Sequence, residues 1–248
     1  SLATISRAEA ATKHRFFTVS GAGKLVLRKL NMTGGLVSGL SGSLERYGGI
    51  VFISGASALL LAHACNFENS HAVDGGAIKC QDGSTVNLSS SVFVDNEADA
   101  AGGAINAYSG CSLLMEKTLF RDNEAGDWGG GAVLCGGDGS GTTCVMKRTH
   151  LLENTAIDGR DSAPTGGGGL NCKDANCQLL DQSIVAGNSV SNGANHGSRC
   201  HDGAASTQYG IGCWTDGTSY ITLPCLPGTY GTKSPTTRAH SKPSRPKK

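Results

Sequence analysis

A repeat of 27 residues constrains the fold of this chain more than any other feature. Glycine pairs begin at Gly48, Gly75, Gly102 and Gly129, and each interval is 27 residues (75−48, 102−75, 129−102). The next glycine cluster opens at Gly166 after 37 residues, one repeat plus ten inserted residues, and Gly193 follows 27 residues later. Equal spacing of this kind is the signature of a repeat architecture, in which each unit buries its apolar face against its neighbours.

Two further markers keep phase with the glycine pairs. Asn69, Asn96 and Asn123 each stand six residues before a pair. The tetrapeptides FVDN, FRDN and LLEN end at Asn96, Asn123 and Asn154. Ten residues before the four asparagines stand Leu59, Val86, Leu113 and Cys144. These open stretches such as VNL and LLM, in which apolar residues alternate at strand period.

The phased pattern predicts an all-β protein, a single-stranded, right-handed parallel β-helix of six or seven coils of roughly 27 residues, stapled by disulfides. Each repeat reads as two or three short strands. The residues expected to form ladders are Phe93, Phe120 and Leu151, stacked inward, and Asn69, Asn96, Asn123 and Asn154, stacked at a turn. A β-sandwich is the alternative, but it predicts no fixed 27-residue phase.

Composition excludes several classes of protein. Glycine accounts for 37 of 248 residues but has no G-X-Y period, which excludes collagen. Hydrophobic residues make up 38% of the chain and the net charge is +1, so we expect neither a wholly disordered chain nor a nucleic-acid partner. The longest apolar run, Ala58–Ala62, is far too short for a transmembrane helix, and we expect no transmembrane segment in this chain.

The pattern divides the chain into four parts. Residues 1–47 are expected to hold N-terminal strands and the first coil, and residues 48–200 the β-helix repeats. Residues 201–231 are expected to form a cysteine-rich C-terminal cap. Residues 232–248 form a basic Ser/Thr/Pro tail, which we expect to be disordered.

The paired GGAI/GGAV and FVDN/FRDN/LLEN motifs resemble the GGA[ILV]/FxxN repeats of polymorphic outer-membrane proteins, which are adhesins of the chlamydial autotransporter type. The resemblance covers roughly residues 16 to 200. It implies a β-helix on a cell surface, with an adhesive role. Separately, Cys225–Gly231 (CLPGTYG) is similar to the C-x-P-G-T-Y opening of ephrin-receptor-like cysteine-rich modules of extracellular proteins.

Ten cysteines without close C-x2-C pairs indicate disulfides in an oxidising compartment rather than a zinc site. The disulfide candidates are Cys80, Cys135, Cys144, Cys172, Cys177, Cys200, Cys213 and Cys225. Cys135 and Cys172 should lie in adjacent coils at a spacing compatible with a bond, and Cys135–Cys144 and Cys172–Cys177 are local alternatives. The sequons at Asn31 and Asn87 are candidate glycosylation sites.

No metal or catalytic constellation stands out, and no cofactor is expected. An outward row of acids, Glu68, Asp95, Asp122 and Glu153, could hold Ca2+, but a solvated face is the simpler interpretation. The segment Asn195–Arg199 with His201–Asp202 is the best fragment for polysaccharide chemistry, but it lacks a pair of facing carboxylates. Trp128, next to Asp127, and Trp214 could stack on sugar rings.

The sequence therefore predicts a non-enzymatic, secreted or cell-surface glycoprotein with a structural or adhesive role. Its partner would be a protein or glycan at the cell surface or in the extracellular matrix. One alternative is a polysaccharide lyase or glycoside hydrolase of the pectin-lyase-like fold. Another is a structural subunit of an extracellular filament or larger assembly, since an open end coil invites association.

Overall fold

The structure, a computed structural model, describes residues 2–7, 14–37, 45–137, 141–157 and 167–190, and the backbone alone at 211–214 and 220–222. These residues form 26 strands, β1 to β26 in chain order, and contain no helix. The strands follow one another around successive coils of a solenoid, and each complete coil contributes four of them.

The bounds of the strands are as follows. An incomplete first coil, which precedes coil 1, contains β2 (Phe17–Ser20), β3 (Lys24–Arg28) and β4 (Leu30–Thr33). Strand β1 (Ala3–Ser6) pairs with β4 and therefore belongs to the coil before this one. Coil 1 contains β5 (Val51–Ser54), β6 (Leu59–His63), β7 (Asn66–Glu68) and β8 (His71–Asp74). Coil 2 contains β9 (Ile78–Gln81), β10 (Thr85–Ser89), β11 (Val92–Val94) and β12 (Glu97–Ala101). Coil 3 contains β13 (Ile105–Ala107), β14 (Ser112–Glu116), β15 (Leu119–Arg121) and β16 (Glu124–Ala125). Coil 4 contains β17 (Val133–Gly136), β18 (Thr143–Lys147), β19 (His150–Leu152) and β20 (Thr155–Ala156). Coil 5 contains β21 (Leu170–Lys173), β22 (Asn176–Leu180), β23 (Ile184–Ala186) and β24 (Ser189–Val190). The last two strands are β25 (Ile211–Trp214) and β26 (Tyr220–Thr222).

Four sheets run along the solenoid, and equivalent strands of neighbouring coils pair in parallel. Sheet I has the order β2-β5-β9-β13-β17-β21-β25 and sheet II the order β26-β22-β18-β14-β10-β6-β3. Sheet III has the order β1-β4-β7-β11-β15-β19-β23 and sheet IV the order β24-β20-β16-β12-β8. The predicted parallel β-helix is confirmed, and the sandwich alternative is wrong. Within the described residues five coils are complete, where the sequence predicted six or seven. Each has four strands, where the sequence indicated two or three.

Strands are present in two of the parts that flank the predicted repeats. Strands β2, β3 and β4, within residues 1–47, already belong to sheets I, II and III, so the solenoid begins before the first glycine pair. Within residues 201–231, the backbones of β25 and β26 extend sheets I and II. The tail at 232–248 lies outside the described residues, as do Cys200 and Cys225.

A stack of aromatic rings fills the interior beneath sheet III. Phe67, Phe93 and Phe120 are fully buried, with ring centroids 4.5 Å apart for the first pair and 4.7 Å for the second. Leu151 pairs with Phe120 in the next coil and is also fully buried. Because parallel pairing superimposes residues one coil apart, the repeated FxxN motif places similar side chains on top of one another.

An asparagine ladder lies inside the corner between sheets III and IV. Asn96 Nδ2 donates to Asn123 Oδ1 over 2.9 Å, and Asn123 Nδ2 donates to Asn154 Oδ1 over 2.8 Å. The backbone N–H groups of Asn96 and Asn123 donate to the same two oxygens. Asn188, which sequence reasoning missed, continues the ladder by accepting from Asn154 Nδ2 over 2.8 Å.

The prediction that Asn69 belongs to this ladder is wrong. Phe67 pairs with Phe93, so three residues further along each coil Ser70, not Asn69, lies level with Asn96. Ser70 is buried, and its backbone N–H donates to Asn96 Oδ1 over 3.2 Å. Asn69 is exposed with φ of +51°, a left-handed conformation that asparagine tolerates better than most residues. The motif of coil 1 is one residue short, which moves its asparagine into the turn.

A ladder of hydroxyl groups lies inside the corner between sheets II and III, where sequence reasoning found no signal. Its members are Ser91, Thr118, Thr149 and Ser183, all buried. Thr118 and Thr149 each donate to the carbonyl two residues earlier, at 3.2 and 3.1 Å. The Thr149 backbone N–H donates to Ser183 Oγ over 3.1 Å. The hydroxyls thus satisfy backbone groups that the tight turn would otherwise leave unpaired.

Three disulfides join sheets I and II at their common corner. Cys135–Cys144 and Cys172–Cys177 each form a bond within one coil, and these are the two local pairings that the sequence left open as alternatives. Cys135 and Cys172 do lie in adjacent coils, but each takes the local partner.

Cys80 bonds to Cys111, which was not among the candidates, and links coils 2 and 3. Cys111 immediately precedes β14, and Ser84 holds the equivalent position before β10, so the register of the two strands would have revealed it. Among the cysteines whose side chains are described, Cys65 alone is free; it is buried, and desolvation raises the pKa of its thiol. Disulfides of this kind are typical of an oxidising environment.

Candidate functional site

The outer face of sheet I differs from the outer faces of the other sheets because it is almost completely buried. Its central outward row contains Phe52, Lys79, Asn106, Leu134 and Asn171, which pair in register through successive coils. Their exposed fractions lie between 2% and 5%. On sheet II the equivalent row contains Val26 and Leu114, which are 45% and 38% exposed. Sheet I therefore forms the floor of a groove.

Strand ends and turns on either side of sheet I form the walls of this groove, which has a volume of about 320 Å³. The wall before the sheet contains Tyr47 and Trp128, which lie outside the strands, and Asp74 and Ala101, which end β8 and β12 of sheet IV. The wall after the sheet contains Gln81, Gly136 and Lys173, which end β9, β17 and β21, and Tyr108 and Gly137, which follow β13 and β17. The floor within the groove is Lys79, Asn106 and Leu134. Because the floor residues come from successive coils, the groove runs along the solenoid axis.

Glycines create the room for one wall. A Cβ atom on Gly137 would lie 2.9 Å from the Tyr108 ring, and one on Gly136 would overlap the Lys173 carbonyl oxygen. Both glycines have positive φ, +98° for Gly136 and +127° for Gly137, which side chains disfavour. The Gly-Gly pair thus lets the Tyr108 ring and the Lys173 backbone approach the turn closely.

Cationic side chains lie over aromatic rings along this face. Lys79 Nζ is 4.6 Å from the centroid of the Tyr108 ring and 5.4 Å from that of Tyr47. Three coils further on, Lys173 Nζ is 5.0 Å from the centroid of a Trp128 ring. Such contacts hold the ammonium groups in place while removing part of their water.

A similar pair stands on the incomplete first coil and coil 1. The Arg15 guanidinium is 5.0 Å from the centroid of the Phe52 ring, and Nε donates to the Tyr47 carbonyl over 2.8 Å. Desolvation by burial lowers the pKa of Arg15, and the charge of Glu45 acts in the opposite direction. The row of cation and ring pairs therefore extends past the groove towards the N-terminal end of the solenoid.

Two nearly buried amides in the central row have oxygens without a protein donor. Asn106 Oδ1 and Asn171 Oδ1 lack a hydrogen-bond partner, although their side chains are only 2% and 4% exposed. Asn171 Nδ2 donates to the Trp128 carbonyl over 2.7 Å, which orients its amide. A buried acceptor without a donor costs free energy, and both oxygens are themselves covered from solvent by the residues around them.

A second cluster lies on the outer face of sheet IV. His71 Nε2 is 2.7 Å from Asp99 Oδ1 and 3.8 Å from Glu97 Oε1. Each of these three side chains offers one ligand atom, and the three atoms lie within 4.8 Å of one another. The two acids are exposed and His71 is half-buried. An imidazole with two carboxylates is a donor set for zinc or manganese rather than for calcium.

The acidic row proposed for calcium has a conformational explanation. Asp95, Asp122 and Glu153 lie level with Asn69 at one corner, with φ between +54° and +58°. Glu68 pairs with Val94 instead and belongs to the preceding row. Asp122 is 3.4 Å from Arg121 Nε. Aspartate suits a left-handed corner, which accounts for two of the acids without a bound ion.

Trp128, one of two tryptophans singled out as sugar-stacking candidates, lies on the wall of the groove. Trp214 is described by its backbone alone, at the end of β25 in the same sheet. The segment Asn195–Arg199 and His201–Asp202 lie outside the described residues. Lys79, Tyr108 and Asn106 were missed. The triplets IKC (78–80) and INA (105–107) alternate between apolar and polar residues, which is typical of a strand with one exposed face, so the pattern gives no sign that the outward row is buried.

The two sequons lie on strands rather than in loops. Asn31 is half-buried in β4 and Asn87 half-buried in β10. The Asn31 Oδ1 atom is buried without a hydrogen-bond partner. In the part of the chain that the structure describes, no helix is long and apolar enough to cross a membrane. Comparisons with protein-family models, with curated proteins and with solved structures found no match to this chain.

Proposed function

We propose that this protein is a non-enzymatic, secreted or cell-surface protein that binds a glycan chain in the groove of sheet I. The observation that carries the proposal is the groove itself, about 320 Å³ in volume, which is walled by the rings of Tyr47, Tyr108 and Trp128. A sugar residue has hydroxyl groups that can form hydrogen bonds with polar groups of the groove lining, such as the Gln81 side chain. Its C–H faces can pack against Tyr108 and Trp128.

The shape of the groove favours a chain over a compact ligand. Its floor is built from β9, β13 and β17, and it therefore extends along the axis by about 4.8 Å for each coil. A linear glycan presents hydroxyls and ring faces at a regular spacing, as the coils present their side chains. A protein partner would instead bury a broad patch of about 800 Å² on this chain.

Two other observations support a place outside the cell. Three disulfides are typical of an oxidising compartment, and small or repetitive extracellular proteins use them to stabilise their cores. The GGA[ILV]/FxxN repeats resemble those of surface adhesins, which bind without turnover. Glycosylation at Asn31 and Asn87 belongs to the same proposal.

The test is incubation of the full chain with a panel of neutral and anionic polysaccharides, with and without calcium. Retained binding and product size are both read, the latter by mass spectrometry. We expect binding to at least one glycan with no change in its mass. Shortened or unsaturated products would show an enzyme and overturn the proposal. Absence of binding across the panel would overturn it as well.

A pair of variants locates the binding site. Trp128→Ala removes a groove wall and should weaken binding at least about tenfold, or about 1.4 kcal/mol. Leu114→Ala removes a side chain of nearly equal exposure (38% against 39%) from sheet II and should leave binding unchanged. Equal losses in the two variants would place the glycan elsewhere.

A further inference from the structure

The groove carries an excess of positive charge in a place where charge is costly. Of its lining residues, Lys79 and Lys173 are basic, and Asp74 is the acid. The Lys79 side chain is 4% exposed, and its Nζ is 3.6 Å from Asp74 Oδ2. Lysines are almost never so completely buried without a reason that offsets the loss of hydration. Asp74 and the rings of Tyr47 and Tyr108 supply part of that compensation, and a ligand that brings negative charge into the groove would add to it.

The surrounding rings hold the two ammonium groups in fixed positions. Lys79 Nζ lies between Tyr47 and Tyr108, and Lys173 Nζ lies over Trp128. A cation that is already positioned and partly dehydrated loses less entropy when an anion binds than a mobile surface lysine does. The rings therefore prepare both lysines for contact with a carboxylate or a sulfate group.

The distance between the two lysines sets a minimum length for the ligand. Lys79 is in β9 and Lys173 in β21, three coils apart in sheet I. At the spacing of parallel strands this is about 14 Å along the axis. Asn106 and Leu134 lie between them on the floor. One short sugar can reach one lysine, whereas a chain of several residues can reach both.

We infer that the groove selects an acidic glycan, whose carboxylate or sulfate groups contact Lys79 and Lys173. This inference rests on the proposed function, because it concerns the same groove. It adds the chemical class of the ligand and its minimum length.

The test compares matched ligands by isothermal titration calorimetry. The probes are a uronic acid hexasaccharide, the methyl ester of the same hexasaccharide, its sulfated derivative, and the corresponding disaccharide acid. We expect the acidic hexasaccharide to bind at least about tenfold more tightly than its ester and than the disaccharide. The sulfated probe shows which anion the groove prefers. Equal affinity for acid and ester would overturn the inference and leave the proposed function standing. Absence of binding by every probe would count against both.

Variants separate a specific site from general attraction between charges. Lys173→Gln should weaken binding of the acidic hexasaccharide and leave the ester unaffected, while Lys173→Arg should retain most of the affinity. Lys117→Gln, at an exposed turn between sheets II and III, removes the same charge away from the groove. Equal losses in Lys117→Gln and Lys173→Gln would overturn the assignment. Lys173 is preferred to Lys79 because replacing the buried Lys79 could disturb folding.

Discussion

Asn123 Nδ2 donates to Asn154 Oδ1 over 2.8 Å in the interior of the solenoid, and Asn123 Oδ1 in turn accepts from Asn96 Nδ2 over 2.9 Å. Asn123 Nδ2 also donates to the Phe93 carbonyl over 3.1 Å. A single side chain thus joins three consecutive coils. Since each of these groups is buried, removing the amide would leave several partners unsatisfied.

Asn123→Ala should lower the free energy of unfolding by about 2–3 kcal/mol, because it leaves buried donors and acceptors without partners. Urea unfolding followed by circular dichroism measures the change. Asn69→Gly is the matched control, because Asn69 is exposed at φ of +51° and glycine suits that conformation. We expect the control to unfold at about the same urea concentration. A loss in Asn69→Gly as large as that in Asn123→Ala would contradict the corrected ladder.

Phe93→Ala should lower the free energy of unfolding by about 3–5 kcal/mol, because it leaves a cavity between Phe67 and Phe120. Phe93→Leu should cost about 1–2 kcal/mol, since the chain itself places Leu151 in the same row one coil beyond Phe120. Thermal unfolding of the two variants gives the comparison. Similar losses for alanine and leucine would show that the rings do not form a tightly packed stack.

Removal of the Cys80–Cys111 disulfide should destabilise the protein more than removal of Cys172–Cys177. The first bond spans 31 residues and the second spans five. Loop-closure entropy predicts about 4 kcal/mol for the first and about 2 kcal/mol for the second. Paired Cys→Ala variants, unfolded in urea under non-reducing conditions, provide the measurement. Each double variant removes the same two sulfur atoms, so the two can be compared directly. Equal losses of stability, or a larger loss for Cys172–Cys177, would contradict a stabilisation that increases with the length of the closed loop.

Asp82 provides a prediction about acid pH. The hydroxyl of Ser54 and the amide of Gln81 donate to its carboxylate and lower the pKa of Asp82 below the ordinary value of 3.8. A lowered pKa means that the folded state favours the ionised form. The resulting stabilisation is present above pH 3.8 and is lost as the pH falls through the folded-state pKa.

Ser54→Ala should therefore raise the pKa of Asp82 towards its ordinary value. Titration of the carboxyl carbon by NMR spectroscopy measures this directly. Ser89→Ala is the control, because Ser89 Oγ contacts His63 Nδ1 instead, at 2.9 Å. An unchanged Asp82 titration in Ser54→Ala would show that this hydrogen bond does not govern the ionisation.

How much of the fold follows from sequence can be judged from particular residues. Asn123 and Asn154 were placed at a buried corner because their motifs recur in phase, and parallel pairing brings equivalent positions together. Asn69 was misplaced, because it stands at the expected distance from its glycine pair although its motif is one residue short. The strand register is set by the pairing of Phe67 with Phe93, which puts Asn69 one residue before the ladder position. Cys111 was missed because its partner Cys80 lies one coil away, at a position that only the register relates to it.

The sequence by itself determined the repeating architecture of this protein. A period close to the length of one coil places each phased residue next to its equivalent in the neighbouring coils. It also identified Trp128 as a candidate for contact with sugars. Only the tertiary structure decided that Lys79 and Asn106 lie in the floor of a groove. Both point outward from their strands, as alternation requires, and they are buried because turns such as those of Tyr47 and Tyr108 rise on either side. Whether an outward row is buried depends on how far the flanking strand ends and turns project beyond the sheet. The alternation of apolar and polar residues does not indicate this.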